Sequence, residues 1–128
     1  MNGSLLDTSV LIAVFDGGIE VDGPSAISVV TVGELRAGVE LAKTPEERSA
    51  RQLRLNRVSE LFEPIPVGEA IALEYGKLLA LARKTGRIQK ATDLLIASTA
   101  AVTGRTLVTR DESQASLARE AGLSVKEV

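Results

Sequence analysis

The chain has 128 residues, 45% hydrophobic and 25% charged, with a net charge of −2; these values fit one compact domain over residues 1–128 that can bury a core without staples. It contains no cysteine and no histidine, which excludes disulfides, zinc–thiolate and iron–sulfur sites, thiol catalysis, a Ser-His-Asp triad and imidazole metal ligation. Aromatic residues make up 2%, too few for a base-stacking platform, so any catalysis must run on carboxylates, hydroxyls, lysine, arginine or a metal ion.

The charge is uneven. Residues 1–35 hold Asp7, Asp16, Glu20, Asp22 and Glu34 with no lysine or arginine, a local net of −5, whereas the remainder carries +3. An acidic focus beside a mildly basic remainder invites a cation. The opening segment lacks a basic region ahead of its apolar stretch, and Asp7 cuts that stretch, so it does not read as a signal peptide. No run of about 18 apolar residues is present to span a membrane, and a cytoplasmic location is expected.

In chain order, Ser4 to Leu6 reads as a brief strand, followed by a helix near Val10 to Phe15 that stops at Gly17-Gly18. The β-branched run Ala26 to Val30, without alternation, predicts a strand buried on both faces, with a helix starting at Thr31. Thr31-Val32-Gly33-Glu34 fits a capping box in which Glu34 reaches back to Thr31. Thr44-Pro45-Glu46-Glu47 supplies a cap, a first-turn proline and acidic residues, opening a helix to about Leu61. Glu63 to Val67, with two prolines, can only be a short edge strand. A helix from Glu69 to Lys84 capped by Gly86, a buried helix from Ala91 to Val102 ended by Gly104, a strand Thr106 to Thr109, a helix Ser113 to Ala121 stopped by Gly122, and a final strand Leu123 to Val125 complete the chain. Strands alternating with helices predict a three-layer α/β domain with a mostly parallel sheet.

Four acids occupy comparable places: Asp7 after the first strand, Glu34 just after the second, Asp93 early in the buried helix and Asp111 after the fourth strand. Each lies near a helix N-terminus, where an acid caps free amides and complements the helix dipole, so singly each is explained by structure. Jointly they point elsewhere. Ligands of open parallel sheets bind beyond the carboxyl ends of the strands, and Asp7, Glu34 and Asp111 project from that edge, with Asp93 able to join them from its helix. Converging carboxylates repel one another unless a cation neutralises them, and all-oxygen ligation suits Mg²⁺ or Mn²⁺. Metal-assisted hydrolysis is the chemistry this pattern suggests.

The segments Leu5-Leu6-Asp7-Thr8-Ser9-Val10-Leu11-Ile12, Ile27-Ser28-Val29-Val30-Thr31-Val32-Gly33-Glu34-Leu35, Thr92-Asp93-Leu94-Leu95-Ile96-Ala97 and Leu107-Val108-Thr109-Arg110-Asp111 together resemble the PIN-domain ribonucleases, and most of all the VapC toxins of bacterial toxin–antitoxin pairs. The resemblance implies a PIN-like α/β/α fold with a five-stranded sheet ordered 3-2-1-4-5, and an Mg²⁺-dependent endoribonuclease (Mn²⁺ being an alternative cofactor) that leaves 5′-phosphate and 3′-hydroxyl ends. It makes Asp7, Glu34, Asp93 and Asp111 the acidic constellation, with Asp7 and Asp93 as direct metal ligands and Glu34 and Asp111 acting through water or a second metal. Thr8, Ser9 and Thr109 match hydroxyl positions that orient a carboxylate or a water, or else serve as caps. It also implies an RNA substrate, a VapB-like antitoxin and a homodimer. Many relatives follow the Thr-Arg pair with a second acid and an aromatic, whereas this chain reads Asp111-Glu112-Ser113-Gln114-Ala115, so the packing behind Asp111 is expected to differ.

Arg87, Lys90 and Arg110 neighbour these motifs and are candidates to hold RNA phosphates, or are ordinary surface charge. Arg48, Arg51, Arg54 and Arg57 recur every third residue, which winds around a helix and predicts solvation or interface pairing. Leu35, Leu41, Leu55 and Val58 read as core, with a dimer surface as the alternative. A receiver-like domain or a haloacid-dehalogenase-type phosphatase fits poorly, because Ser9 stands where the second needs an acid and no acid is paired with Asp7. The stronger rival is a PIN-fold protein that binds RNA or a partner without cutting.

Overall fold

A computed structural model describes residues 3–128; the first two residues of the opening segment lie outside it. The elements run β1 (Ser4–Leu6), α1 (Thr8–Phe15), β2 (Ser25–Ala26), α2 (Val29–Glu40), α3 (Pro45–Leu61), α4 (Glu69–Lys84), α5 (Ala91–Thr103), β3 (Thr106–Thr109), α6 (Glu112–Glu120) and β4 (Val125–Glu127). The strands form one parallel sheet in the order β2-β1-β3-β4. Every neighbouring pair needs a helical crossover, as parallel pairing requires.

Alternation along the two central strands builds the layers. Leu5 and Leu107 face a core shared with Leu78, Leu94, Ile96 and Leu117 of α4, α5 and α6. Leu6 and Val108 face the opposite way, into a core shared with Val10, Leu11, Leu35, Val39, Leu55 and Val58 of α1, α2 and α3. Successive side chains of a strand point to opposite faces, so two residues per strand are enough to hold three helices on each side. Leu35, Leu55 and Val58 are therefore core, while Leu41 is 74% exposed.

Four expectations are corrected in detail. The second strand ends at Ala26 rather than Val30, because the buried Ser28 accepts the Val30 amide on its hydroxyl at 3.0 Å and starts α2 at Val29. The helix thus begins two residues before Thr31, and no capping box forms: the Thr31 amide bonds to the Ser28 carbonyl, and Glu34 binds Thr8 instead. The expected third strand, Glu63 to Val67, shrinks to one parallel bridge between Ile65 and Ser28, leaving four strands. Ile65 makes both of its backbone bonds, to Ile27 and Val29, but Pro64 and Pro66 have no amide proton with which to extend the ladder. Its place beside β2 keeps the expected 3-2-1-4-5 order. The last strand starts at Val125 rather than Leu123, because the Leu123 amide still closes the end of α6 on the Ala118 carbonyl.

Two glycines are required by geometry. Gly3 has φ +77°, and a Cβ there would lie 2.4 Å from the Pro24 carbonyl oxygen that accepts the Ser4 amide. Gly104 ends α5 with left-handed φ 65°. The arginine series of α3 spreads over separate partners: Arg48 and Arg51 reach the terminal carbonyls Val39 and Gly38 of α2, Arg54 pairs with Asp16, and Arg57 lies over the Phe15 ring. Arg51 also pairs with Glu47.

Candidate active site

The register of β1 against β3 sets Leu6 opposite Val108. The next residues in each chain, Asp7 and Thr109, therefore meet at the carboxyl edge of the sheet. The Asp7 amide donates to the Val108 carbonyl at 2.9 Å, and the side chain, only 6% exposed, accepts hydroxyl bonds on Oδ2 from Thr109 at 3.2 Å and Ser9 at 3.3 Å. Asp7 occupies the N-cap position of α1, yet its side chain makes no capping bond there. A buried carboxylate at a cap position that does not cap is unusual for a purely structural acid.

Asp111 behaves differently. Its Oδ1 accepts the Ser113 and Gln114 amides at 2.9 and 3.2 Å, which makes it the true N-cap of α6. The Asp111 amide in turn donates to Thr109 Oγ1 at 3.1 Å. Glu34 comes from the second turn of α2 and accepts the Thr8 hydroxyl at 2.6 Å. Since Thr8 has one hydroxyl proton and spends it on Glu34, the 2.9 Å contact between Thr8 and Thr31 must have Thr31 as donor. Thr31, read from the sequence as a cap, is thus a buried relay that orients Thr8. Asp93 stands in the first turn of α5.

The four acids, with Thr8, Ser9, Ile12 and Lys90, line one cavity of about 300 Å³. Burial pushes the Asp93 carboxyl up to about 6, with the neighbouring charges of Asp7, Glu34 and Asp111 adding to the effect and Lys90 opposing it. Burial likewise raises Asp7, against the hydrogen bonds from the Thr8 backbone amide and the Thr109 and Ser9 hydroxyls that favour its charged form. Acids that resist ionisation together are the electrostatic signature of a site short of positive charge. Among the described residues no three acids close into a ready-made metal cage; the carboxylates share a cavity rather than a single point.

The basic candidates separate. Lys90, at the N-cap of α5, is the one cation lining the cavity among the described residues. The Arg87 guanidinium is held by Glu120 at 3.1 and 3.4 Å and by Ser116 at 3.3 Å, where it ties the α4–α5 connection to α6 and lines a different hollow. Arg110 is exposed and lies outside the cavity lining.

Sequence reasoning passed over one buried residue. Gln114, 2% exposed, accepts from Thr109 at 2.9 Å and donates to the Asp93 backbone carbonyl at 3.1 Å. The signal available was the unusual stretch Glu112-Ser113-Gln114-Ala115 after Asp111, where the packing was expected to differ.

Comparison with known proteins agrees with this architecture. The PIN domain family model matches residues 4–120. Ribonuclease VapC8 of Mycobacterium tuberculosis is 42% identical over 102 residues, covering 77% of this chain and 90% of that protein. Ribonuclease VapC1 of Methanocaldococcus jannaschii is 33% identical over 122 residues, covering 94% of this chain and 85% of that protein. Among solved structures, VapBC-5 of Mycobacterium tuberculosis, a member of the VapBC family of toxin–antitoxin systems, superposes with a TM-score of 0.86 at 33% identity over the full length of both chains. With the motifs in order, the fold matched and the acids gathered at the sheet edge, the chain belongs to the PIN-domain family and is homologous to the VapC ribonucleases.

Proposed function

We propose that the chain, acting as a single domain over residues 1–128, is an Mg²⁺-dependent endoribonuclease, the toxin of a type II toxin–antitoxin module, and that it hydrolyses RNA phosphodiester bonds with water. The carrying observation is that acids from four separated segments, Asp7, Glu34, Asp93 and Asp111, line one cavity with a single lysine at its edge. The names of the relatives, VapC ribonucleases and VapBC complexes, support the substrate class and a VapB-like antitoxin as partner. A homodimer in the cytoplasm is part of this proposal. Among the described residues no helix is long and apolar enough to cross a membrane.

The donor set fits a hard divalent cation: oxygen only, densely acidic, and with the Asp93 and Asp7 carboxyls both raised by burial and, to a lesser degree, by the neighbouring acids. Mg²⁺ is usually held by one or two carboxylates together with substrate phosphates rather than by a full protein cage, which accords with acids that share a cavity without converging on one point. Asp7 and Asp93 are the residues that would hold it, with Glu34 and Asp111 acting through water or at a second ion. A bound Mg²⁺ or Mn²⁺ supplies charge stabilisation at the phosphate and lowers the pKa of water at the site.

The protein's own residues then have distinct tasks. Thr109 and Ser9 fix the Asp7 carboxylate through Oδ2. Thr8, oriented by Thr31, fixes Glu34. Asp111 keeps one oxygen on the α6 amides, so its cap and its place at the cavity coexist. Lys90 offsets the acidic repulsion at the rim and holds a backbone phosphate of the incoming strand; Arg110 is free to extend that contact. No side-chain nucleophile is needed.

The test is to incubate purified, antitoxin-free protein with total cellular RNA, with Mg²⁺, Mn²⁺ or chelator, beside Asp93→Asn, and to map new 5′ ends. Discrete metal-dependent cuts missing from the variant are expected. Folded protein that cuts nothing, or cuts equally well as Asp93→Asn, overturns the hydrolytic reading in favour of a PIN-fold protein that binds without cleaving.

A further inference from the structure

Gln114 sits on the first turn of α6, where Asp111 caps the helix through the Gln114 backbone amide itself at 3.2 Å. Both ends of its side chain are committed, and their assignment is forced. The Asp93 carbonyl can only accept, so Nε2 faces it at 3.1 Å, and Oε1 must then face Thr109 and accept its hydroxyl at 2.9 Å. Thr109 has one proton and two acceptors, Gln114 Oε1 at 2.9 Å and Asp7 Oδ2 at 3.2 Å, while its oxygen takes the Asp111 amide. One buried amide therefore joins the end of β3 to the first turn of α5, and through Thr109 it competes for the proton that orients Asp7. Three of the four acids are mounted on the atoms it touches or their immediate neighbours.

We propose that Gln114 is a positioning residue that sets Asp93 relative to Asp7, and thereby the affinity of the acidic cavity for a divalent cation, by bridging the Thr109 hydroxyl and the Asp93 backbone; this rests on the metal-dependent reading above. The task needs a donor at one side of the head group and an acceptor at the other. A glutamate, when ionised, has no proton for the Asp93 carbonyl and would add a fifth negative charge behind the site. An asparagine is one methylene too short to span both partners, and a methionine fills the space with neither bond. Partners behind direct metal ligands commonly change metal affinity or activity by about 10- to 100-fold when removed.

The experiment is calorimetric titration of Mn²⁺ into the metal-free full chain, without RNA and well below the melting temperature, for wild type, Gln114→Met, Gln114→Asn and the control Leu117→Val. Leu117 lies on the same helix in the core shared with α4 and α5, and its apolar side chain takes no part in these hydrogen bonds, so it reports loss of packing alone. Both Gln114 variants are expected to bind Mn²⁺ about 10-fold more weakly, with Leu117→Val at the wild-type affinity despite a lowered melting temperature. Should Gln114→Met fail to fold, Gln114→Asn, which retains the amide, carries the comparison. Wild-type affinity in the Gln114 variants, or an equal loss in Leu117→Val, overturns the positioning role while leaving the metal-dependent reading intact. A wild-type protein that binds no Mn²⁺ overturns that reading and this inference together.

Discussion

Replacing Asp93 by asparagine should stabilise the metal-free protein while removing its response to metal. Burial and the charges of Asp7, Glu34 and Asp111 hold the Asp93 carboxyl at about 6, against 3.8 in an unstructured chain. Each unit of such a shift corresponds to about 1.4 kcal/mol; Asp93 remains partly open to solvent, and screening reduces the cost of ionising it at neutral pH to about 1–2 kcal/mol. Because the folded carboxyl binds its proton more tightly than the unfolded one, this cost is complete above pH 6 and is relieved as pH falls from about 6 towards 4. In chelator at pH 7.5 the variant should melt about 3–10 °C above wild type, taking about 3–5 °C per kcal/mol for a domain of this size. The difference should close by pH 4. Mg²⁺ at about one hundred times its dissociation constant should raise the wild type by about 2.7 kcal/mol and leave the variant nearly unmoved. Thermal melts at the two pH values, with and without Mg²⁺, read all of this directly. A variant that melts at or below wild type in chelator at pH 7.5, or that gains as much from Mg²⁺ as wild type, refutes the assignment of Asp93 as the electrostatically costly metal ligand.

Four further outcomes are expected. Protons compete for Asp93, so Mg²⁺ affinity measured by titration should fall as pH drops through about 6 and be nearly flat above pH 7. Thr8→Val removes the hydroxyl that holds Glu34 at 2.6 Å and should lower the cleavage rate about 10-fold with KM for RNA little changed; a change in KM alone would argue against orientation of Glu34. Lys90→Ala should weaken RNA binding evenly across sequences and reduce the salt dependence of binding by about one phosphate contact, as read by filter binding at several ionic strengths. Arg87→Ala breaks a partly exposed pair with Glu120 and should cost about 0–1 kcal/mol of stability without altering RNA affinity; a loss of affinity as large as that of Lys90→Ala would return Arg87 to the RNA-binding surface.

Local patterns carried much of this protein's description. The alternation of apolar runs, caps and glycines was sufficient for the α/β class and for helices such as α3, where Thr44 accepts the Glu47 amide and Pro45 opens the first turn. The absence of histidine and cysteine reduced the possible metal donors to oxygen, and the spacing of acids after strands marked Asp7, Glu34, Asp93 and Asp111. Caps and periodicity act over a few residues, so a single sequence displays them.

What the sequence left open is what depends on neighbours far apart in the chain. Asp7 and Asp111 look alike as acids after strands, but only packing decides that one caps its helix and the other does not. Thr31 reads as a cap until Thr8, 23 residues away, takes its proton. Thr109 reaches Asp7 across 102 residues and Gln114 reaches Asp93 across 21, contacts that exist because the β1–β3 register and the seat of α6 bring those atoms within hydrogen-bonding distance. A hydroxyl or amide offers the same donors and acceptors wherever it stands in a sequence; which of them it uses is decided when burial strips away water and leaves it only the partners that the fold supplies.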